Sequence, residues 1–290
     1  MKRQLTMIDL GNSYIKTLKG MTIANKVLEF GADENIETLG ENTVRLNDRL
    51  YFIGSQKAKL NFEYTKTNKT FIPQVLYTIS ALNKLNDTDL ILLLPNDQIE
   101  NKTIFEETLQ NKTFKCEING KKETIKIGKV ITLRESQAAF FSLDREKQSG
   151  LSGILDLGSY TTNVFLTDNF KEISNFTVKI GVADYWMGLS SELSKYKKMN
   201  EVEVERYFHK IKEEYKEVID KFTLEFTNKL YDELARNYQN IIYHQLTAVG
   251  GGSKLYFDEL SKKLDLYKHE SPIQANILGC EQIAKLKGLI

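Results

Sequence analysis

The chain has 290 residues, of which 41% are hydrophobic and 27% are charged, and its formal net charge is +1. These values indicate one large or two ordinary packed domains, and they exclude wholesale disorder and a generally basic surface for nucleic acid. Cys116 and Cys280 form no CxxC pair, which makes a disulfide framework or zinc site unexpected and favours a reducing cytosol. Asp9 interrupts the apolar N-terminal segment, so no signal peptide is expected, and no run reaches the about 18 apolar residues of a membrane helix.

Residues 7–16, MIDLGNSYIK, have the pattern of a strand that reaches Asp9 and runs into a small polar turn. An ordinary hairpin is one interpretation, because Gly and Asn supply the backbone angles of a tight turn. The other is a phosphate site, in which backbone amides of the turn face an anion and the carboxylate holds its metal. One copy of the pattern does not decide between them.

Between residues 34 and 143 the sequence predicts a polar, turn-rich stretch, a buried strand and a helix that begins near Glu135. Residues 34–70 are polar and rich in turn formers, whereas LILLLPND (90–97) predicts a buried strand that ends in a turn at Pro95. TLRESQAAFFSL (132–143) predicts a helix with Glu135 at its N-terminus. A glutamate in this place either compensates the helix dipole or positions a water molecule for attack on a phosphate.

A second copy of the first pattern lies about half a chain length further on. Residues 153–165 read GILDLGSYTTNVF, again an apolar run into an acidic residue, Asp156, followed by Gly and small polar residues. A repeat at half-length predicts two halves built alike, each with a hairpin that carries its carboxylate at the tip. We expect the two tips to face one another across a cleft and to hold a magnesium-bound triphosphate between them.

The third part of the chain is helical and ends in glycines. Residues 192–240 are dense in alternating charges with apolar residues at helical spacing, which predicts two long amphipathic helices and no DNA-binding stripe; Trp186, in a helix just before them, is interpreted as packing. IIYHQLTAVGGGS (241–253) then predicts a strand, a glycine turn and a helix over KLYFDELSKKL. Three glycines at such a junction let backbone approach a flat ligand closely.

These motifs, in this order, resemble the actin, heat-shock chaperone and sugar-kinase superfamily of ATPases. MIDLGNSYIK resembles its first phosphate loop, ILDLGSYTTNVF its second and TAVGGGSKL its adenosine motif, while TLRESQAAFFSL and PIQANILGCEQIA (272–284) resemble its two connecting helices. Within the superfamily the motifs are similar to those of the bacterial plasmid-segregation actins, the ParM and AlfA group. The resemblance implies an α/β fold of two actin-like, ribonuclease H-like lobes with a central nucleotide cleft.

The resemblance also implies ATP as the cofactor, with GTP as an alternative, together with Mg²⁺. Asp9 and Asp156 are expected to bind the metal through water and to act in catalysis with Glu135, which would position the attacking water; turn capping is the alternative for the two aspartates. Lys16 would touch phosphate, or is an ordinary surface lysine. The remaining cofactor-binding candidates are Gly11, Asn12, Ser13, Gly158, Ser159, Tyr160, Thr161, Gly250, Gly251, Gly252 and Ser253.

One departure from the family pattern lies in the second loop, where Asn163 stands at a position that is often acidic.

The domains are predicted as residues 1–147 with 272–290 for domain I, with a smaller inserted subdomain near 34–70, and residues 148–271 for domain II. The second small subdomain is expected to be reduced and mainly helical, because the stretch between Asp156 and the glycines is short.

On the basis of this resemblance, the preferred functional interpretation is a cytoplasmic ATPase that polymerises with nucleotide and segregates plasmid DNA through an adaptor protein. Its partners would be copies of itself and that DNA-bound adaptor, with no direct sequence-specific DNA binding and no membrane. Two alternatives remain open: a metabolite kinase of the same fold, and a nucleotide-binding regulator that does not polymerise.

Overall fold

The computed structural model describes residues 3–18, 20–31, 40–55, 58, 70–82 and 86–290. In chain order the strands are β1 (Gln4–Leu10), β2 (Tyr14–Thr17), β3 (Thr22–Ala24), β4 (Val27–Phe30), β5 (Asn42–Leu46), β6 (Arg49–Ile53), β7 (Asp87–Leu94), β8 (Lys112–Ile118), β9 (Lys121–Arg134), β10 (Leu151–Leu157), β11 (Thr162–Asp168), β12 (Lys171–Val178), β13 (Gln245–Val249) and β14 (Leu266–Lys268).

The helices are α1 (Phe71–Leu82), α2 (Lys102–Leu109), α3 (Glu135–Phe140), α4 (Val182–Leu193), α5 (Glu201–Glu214), α6 (Lys216–Asn237), α7 (Phe257–Leu260) and α8 (Ala275–Leu286). Short 3-10 helices occupy Asn96–Asn101, Gln239–Tyr243 and Gly251–Lys254. The chain divides into two compact units: unit 1 is Met1–Ser142 with Asn276–Ile290, and unit 2 is Leu143–Ala275. That these units are the two actin-like domains stays a prediction.

Each unit is built on a sheet of the same design. The described strands of unit 2 are ordered β12-β11-β10-β13-β14, and the sheet of unit 1 begins β3-β2-β1-β7-β9. In both, three antiparallel strands are followed by two strands that run parallel to the central one. This confirms the prediction, made from the repeated motif, that the two halves are built alike.

Unit 1 differs from unit 2 because its sheet continues further. The long strand β9 pairs with β7 in its second half and with β8 in its first half, and the order then runs β8-β5-β6-β4. The hairpin β5–β6 lies in the polar stretch 34–70, of which residues 34–39, 56–57 and 59–69 lie outside the described residues. The inserted subdomain therefore stays a prediction for the stretch as a whole.

The strand β7 explains how unit 1 holds its core. Its residues from Leu90 to Leu94 are fully buried, because both faces of the sheet are covered. Leu90, Leu92 and Leu94 pack in one apolar cluster with side chains of α1, and Ile91 and Leu93 pack in a second cluster with side chains of α8. The predicted buried strand at 90–97 is confirmed, and a 3-10 helix follows Pro95.

The predicted pair of amphipathic helices in unit 2 is confirmed as α5 and α6. The start of α5 is fixed by a capping box, in which the Asn200 side chain accepts a hydrogen bond from the Glu203 backbone amide and the Glu203 carboxylate accepts one from the Asn200 amide. Tyr215, with a φ of −115°, separates the two helices. Trp186 is buried and packs edge-on against Phe208 of α5, as the packing interpretation predicted.

The helix predicted after the glycine turn is shorter than expected. Only Phe257–Leu260 is α-helical, because Tyr256 has a φ of −133° and its ring is buried in the core of unit 2. There it packs against the rings of Tyr185 and Phe226, from α4 and α6. Burial of this large aromatic side chain therefore overrides the local helical pattern.

The two cysteine thiols are expected to be unreactive in the folded protein. Cys116 and Cys280 are buried free thiols, and burial is the main cause that raises the pKa of Cys116 to about 11 and raises that of Cys280 well above its usual range. Because the thiolate is the nucleophile, Ellman's reagent near neutral pH should label neither thiol until the protein unfolds. Titration with and without guanidinium chloride measures this, and rapid labelling of the native protein would contradict the burial.

Candidate functional site

The first hairpin places Asp9 and Lys16 opposite one another on β1 and β2. The Lys16 Nζ lies 2.7 Å from one carboxylate oxygen of Asp9, and Asp9 is 1% exposed. The other oxygen, Oδ1, is buried without a hydrogen-bond partner among the described residues. A buried carboxylate oxygen is costly to leave unpaired, so this atom fits the water shell of a metal ion.

The turn after Asp9 is held from one side by Asn25. The Asn25 side-chain amide donates a hydrogen bond to the Gly11 carbonyl at 2.7 Å, and its backbone amide donates one to the Ser13 carbonyl at 2.8 Å. In a trans peptide the C=O and the following N–H point in opposite directions. The Asn12 N–H is therefore directed away from the Asn25 side chain, which is the orientation that a phosphate-binding amide needs.

Gly11 itself is required by close packing. A Cβ at this position would lie 2.7 Å from the Tyr14 carbonyl oxygen. The glycine thus allows the two sides of the hairpin to approach, and a larger residue would push the Ser13 turn away from Asn25.

The second hairpin has the same register but different chemistry. Asp156, which is 4% exposed, lies opposite Asn163, at the position that Lys16 has opposite Asp9. The Asn163 Oδ1 accepts a hydrogen bond from the Thr177 hydroxyl at 2.8 Å. An acid at this position would face Asp156 directly across the strand pair, and like charges there are destabilising. The register therefore gives a physical reason for the amide at Asn163.

The turn after Asp156 is held by the first turn of α4. The Val182 amide donates to the Gly158 carbonyl at 3.0 Å, and the Ala183 amide donates to the Ser159 carbonyl at 2.8 Å. By the same peptide geometry, the N–H groups of Ser159 and Tyr160 are directed away from α4. These two amides are the candidate phosphate donors of this loop.

The Gly158 amide, one of the expected phosphate donors, is used within the loop. It donates to the Asp156 carbonyl at 3.1 Å and to the Thr161 carbonyl at 2.9 Å. A Cβ on Gly158 would lie 2.8 Å from that Thr161 oxygen, so the glycine closes the turn. Its N–H is used within the loop, and Thr161 beside it is buried.

The glycine turn lies beside Asp156 within unit 2, because Asp156 and Val249 are neighbours in the parallel pair β10–β13. Gly250 has a φ of +81°, and a Cβ there would lie 2.6 Å from the Asp156 Oδ1. A Cβ on Gly252 would lie 2.3 Å from the Tyr256 hydroxyl, whereas one on Gly251 would meet nothing within 4 Å. Gly251 is therefore the open position, at which a flat ligand could approach the backbone.

Ser253 is fully buried, and its hydroxyl donates to the Gly250 carbonyl at 2.7 Å. This hydroxyl fastens the glycine turn. The Tyr256 hydroxyl below the turn is buried with no hydrogen-bond partner in the described part of the chain, and burial raises its pKa.

These contacts predict that Gly250→Ala and Gly251→Ala differ strongly in stability. Gly250→Ala should lower the free energy of unfolding by about 3 kcal/mol, because the positive φ and the contact with Asp156 both oppose a Cβ. Gly251→Ala, the matched control, should change it by less than about 1 kcal/mol. Urea unfolding measures both, and equal losses would contradict the geometry of the turn.

Glu135 lies at the same end of the unit 1 sheet as Asp9. Asp9 is in register with Leu93 of β7, and Leu93 with Leu133 of β9, so Glu135 follows two strands across, about 10 Å from β1 by strand spacing. It is the first residue of α3 and is 9% exposed. The next residue, Ser136, fixes the start of α3 through a hydrogen bond of 2.7 Å from its hydroxyl to Asn96.

The site residues therefore group within each unit. Unit 1 brings Asp9, Lys16 and the Gly11–Ser13 turn together at one hairpin and Glu135 to the same sheet edge; unit 2 brings Asp156, its loop and the glycine turn together. Convergence of Asp9 and Asp156 on one ion stays a prediction. No group of three or more His, Cys, Asp or Glu side chains suited to a metal occurs among the described residues. Sequence reasoning missed Asn25, which no local motif marks.

Comparisons with known proteins support the actin-like fold. Residues 8–137 match the family model of the N-terminal domain of actin-like proteins. No functionally curated protein sequence matches the chain. In the described part of the chain, no helix combines the length and the apolar character that crossing a membrane requires.

Several solved structures are similar over nearly the whole length. An archaeal actin homologue has a TM-score of 0.79 at 16% identity, covering 98% of this chain and 99% of the homologue. A 15-stranded ParM filament from Clostridium botulinum has a TM-score of 0.72 at 16% identity, with 99% and 100% covered. An AlfA filament bound to AMPPNP has a TM-score of 0.68 at 15% identity, with 98% of each chain covered. Residues 8–137 thus match the N-terminal domain of the actin-like proteins, and the chain as a whole has the mixed α/β actin-like fold predicted from its motifs.

Proposed function

We propose that this chain is a cytoplasmic nucleotide-dependent ATPase that assembles into filaments and segregates plasmid DNA through an adaptor protein. The observation that carries the proposal is the matched pair of hairpins. Each carries a buried aspartate next to its turn, and the turn carbonyls are held by Asn25 in the first hairpin and by the start of α4 in the second. An actin-like fold with two such turns is suited to a polyphosphate.

ATP is the proposed cofactor, with GTP as an alternative, and Mg²⁺ accompanies it. The buried, unpartnered Oδ1 of Asp9 fits a water ligand of the ion, and Asp156 is proposed to do the same from unit 2. The ion would neutralise charge on the phosphates during transfer to water. Support comes from the similar AlfA filament, which is bound to AMPPNP, and from the archaeal homologue, which has also been solved in complex with ADP.

In this proposal, separate residues of the chain bind the phosphates, orient the attacking water and accommodate the nucleoside. The amides of Asn12, Ser159 and Tyr160 bind phosphate oxygens, and Lys16 adds a positive charge beside them. Glu135, fixed at the start of α3, orients the attacking water. Gly251 leaves room for the nucleoside against the backbone of unit 2.

The partners follow from the same proposal. Copies of the chain form the filament, as in the similar ParM and AlfA structures, which are filaments. The near-neutral net charge supports contact with DNA through a separate adaptor rather than by the chain itself. Purified protein alone is therefore expected to leave plasmid DNA unshifted in a gel.

Assembly is tested by light scattering and electron microscopy of the purified chain. Scattering should rise after addition of ATP and Mg²⁺ above a threshold protein concentration, with filaments in the micrographs, and should stay flat with EDTA as the matched control. Nucleotide binding without scattering at any concentration would favour the non-polymerising regulator. Phosphate transfer to a small acceptor, with no filaments, would favour the kinase.

A further inference from the structure

The side chain of Asn25 makes two contacts that no motif in the sequence marks. Its amide nitrogen donates to the Gly11 carbonyl at 2.7 Å, and its oxygen accepts from the side-chain amide of Gln74. Asn25 directly follows β3, and Gln74 lies on α1 and is 4% exposed. Because a carbonyl only accepts, the Asn25 nitrogen must face Gly11, which leaves the oxygen for Gln74. The three groups form a chain with a single consistent direction of donation.

The backbone of Asn25 adds a third contact, since its N–H donates to the Ser13 carbonyl at 2.8 Å. The residue thus holds a carbonyl on each side of Asn12. Together these bonds fix two peptide planes of the first turn, and with them the direction of the Asn12 N–H.

Unit 2 achieves the same result with different parts. There the carbonyls of Gly158 and Ser159 accept hydrogen bonds from two backbone amides at the start of α4. The helix α4 packs closely against α6, where Gly188 contacts the Phe222 ring. A Cβ on Gly188 would lie 2.6 Å from that ring. In the described part of unit 1, the first turn is held by a side chain and the strand end that carries it.

We propose that Asn25, supported by Gln74, is the positioning residue of the first phosphate loop and replaces the helix start that holds the second. The inference rests on the proposed function, in which this loop binds phosphate. It assigns neither residue a contact with the nucleotide. Because the Asn25 side chain is itself hydrogen-bonded to Gln74 of α1, the order of the loop is linked to the position of α1.

The test uses the full chain and the variants Asn25→Ala, Asn25→Asp and Gln74→Ala. Asn42→Ala is the matched control, since the Asn42 amide also donates to a backbone carbonyl of unit 1, that of Ile53, away from the loop. Hydrogen–deuterium exchange without nucleotide reports the order of residues 11–14. Affinities for ATP and for adenosine report the consequence for binding.

Asn25→Ala should speed exchange at residues 11–14 and weaken ATP binding by about tenfold, the effect of losing one or two hydrogen bonds. Adenosine affinity should stay within about twofold, because the loop meets only phosphates. Asn25→Asp should weaken ATP binding at least as much as Asn25→Ala, since its carboxylate would face the Gly11 carbonyl and cannot donate to it. Gln74→Ala should weaken ATP binding less than Asn25→Ala does, and Asn42→Ala should leave the affinities for ATP and adenosine unchanged.

Unchanged exchange in Asn25→Ala would overturn the inference whether or not the wild type binds ATP. Equal losses of ATP and adenosine affinity would also overturn it, because they indicate general destabilisation. If the wild type binds no nucleotide, the proposed function fails instead, and the exchange measurement alone still decides whether Asn25 orders the loop.

Discussion

Glu135→Gln is expected to slow phosphate release from ATP by about 100-fold while nucleotide affinity stays within about twofold. The change keeps the size of a side chain that is 9% exposed, and it replaces one accepting carboxylate oxygen by an amide NH2 group, which donates and cannot take up a proton. A water molecule next to Glu135 would lose its acceptor for the proton or its orientation towards the phosphate. Assembly should persist and disassembly should slow if, as proposed, hydrolysis of ATP precedes disassembly of the filament.

A coupled phosphate-release assay measures the rate, and scattering during the same reaction measures assembly. Glu107→Gln is the control, since Glu107 is an exposed carboxylate on α2 of the same unit. If phosphate release is unchanged in Glu135→Gln, Glu135 acts only on the helix dipole and has no part in hydrolysis. If affinity falls as much as the rate, its role is in binding.

Gly279→Ala should lower the free energy of unfolding by about 3 kcal/mol, although alanine is the better helix former by about 1 kcal/mol. Gly279 lies on α8, and a Cβ there would lie 1.6 Å from the Ala138 carbonyl oxygen of α3. Backbone atoms cannot yield without moving a whole helix. The repulsion therefore exceeds the gain in helix propensity, and α3 moves together with Glu135.

Urea unfolding of Gly279→Ala measures the loss, and phosphate release measures the displacement of Glu135. Gln282→Ala is the matched control, because Gln282 is exposed on the same helix and its replacement also raises helix propensity. A more stable Gly279→Ala protein would mean that α8 does not approach α3 as closely as described.

The local elements could be predicted from the sequence because each leaves a short-range pattern. Alternating or continuous apolar residues marked the strands around Asp9, Leu92 and Asp156, and helical spacing marked α5 and α6. The repeat of Asp-Leu-Gly predicted two similar halves, which the common strand order confirms. The prediction for the helix after the glycine turn was too long, because Tyr256 is buried in the core and the α-helix begins only after it.

Some features of the candidate site likewise follow from local sequence, whereas others depend on contacts between distant residues. Local patterns in the chain predict where the carboxylates, the turns and the glycines occur, because turn chemistry and hydrophobic period act between near neighbours. Three relations appear only in the folded chain: Asn25 and Gln74 hold the first turn, the Gly158 amide is used within its own loop, and Asn163 faces Asp156. Hydrogen bonds and cross-strand neighbours of this kind join residues that packing and strand register bring together, so no local pattern in the chain encodes them.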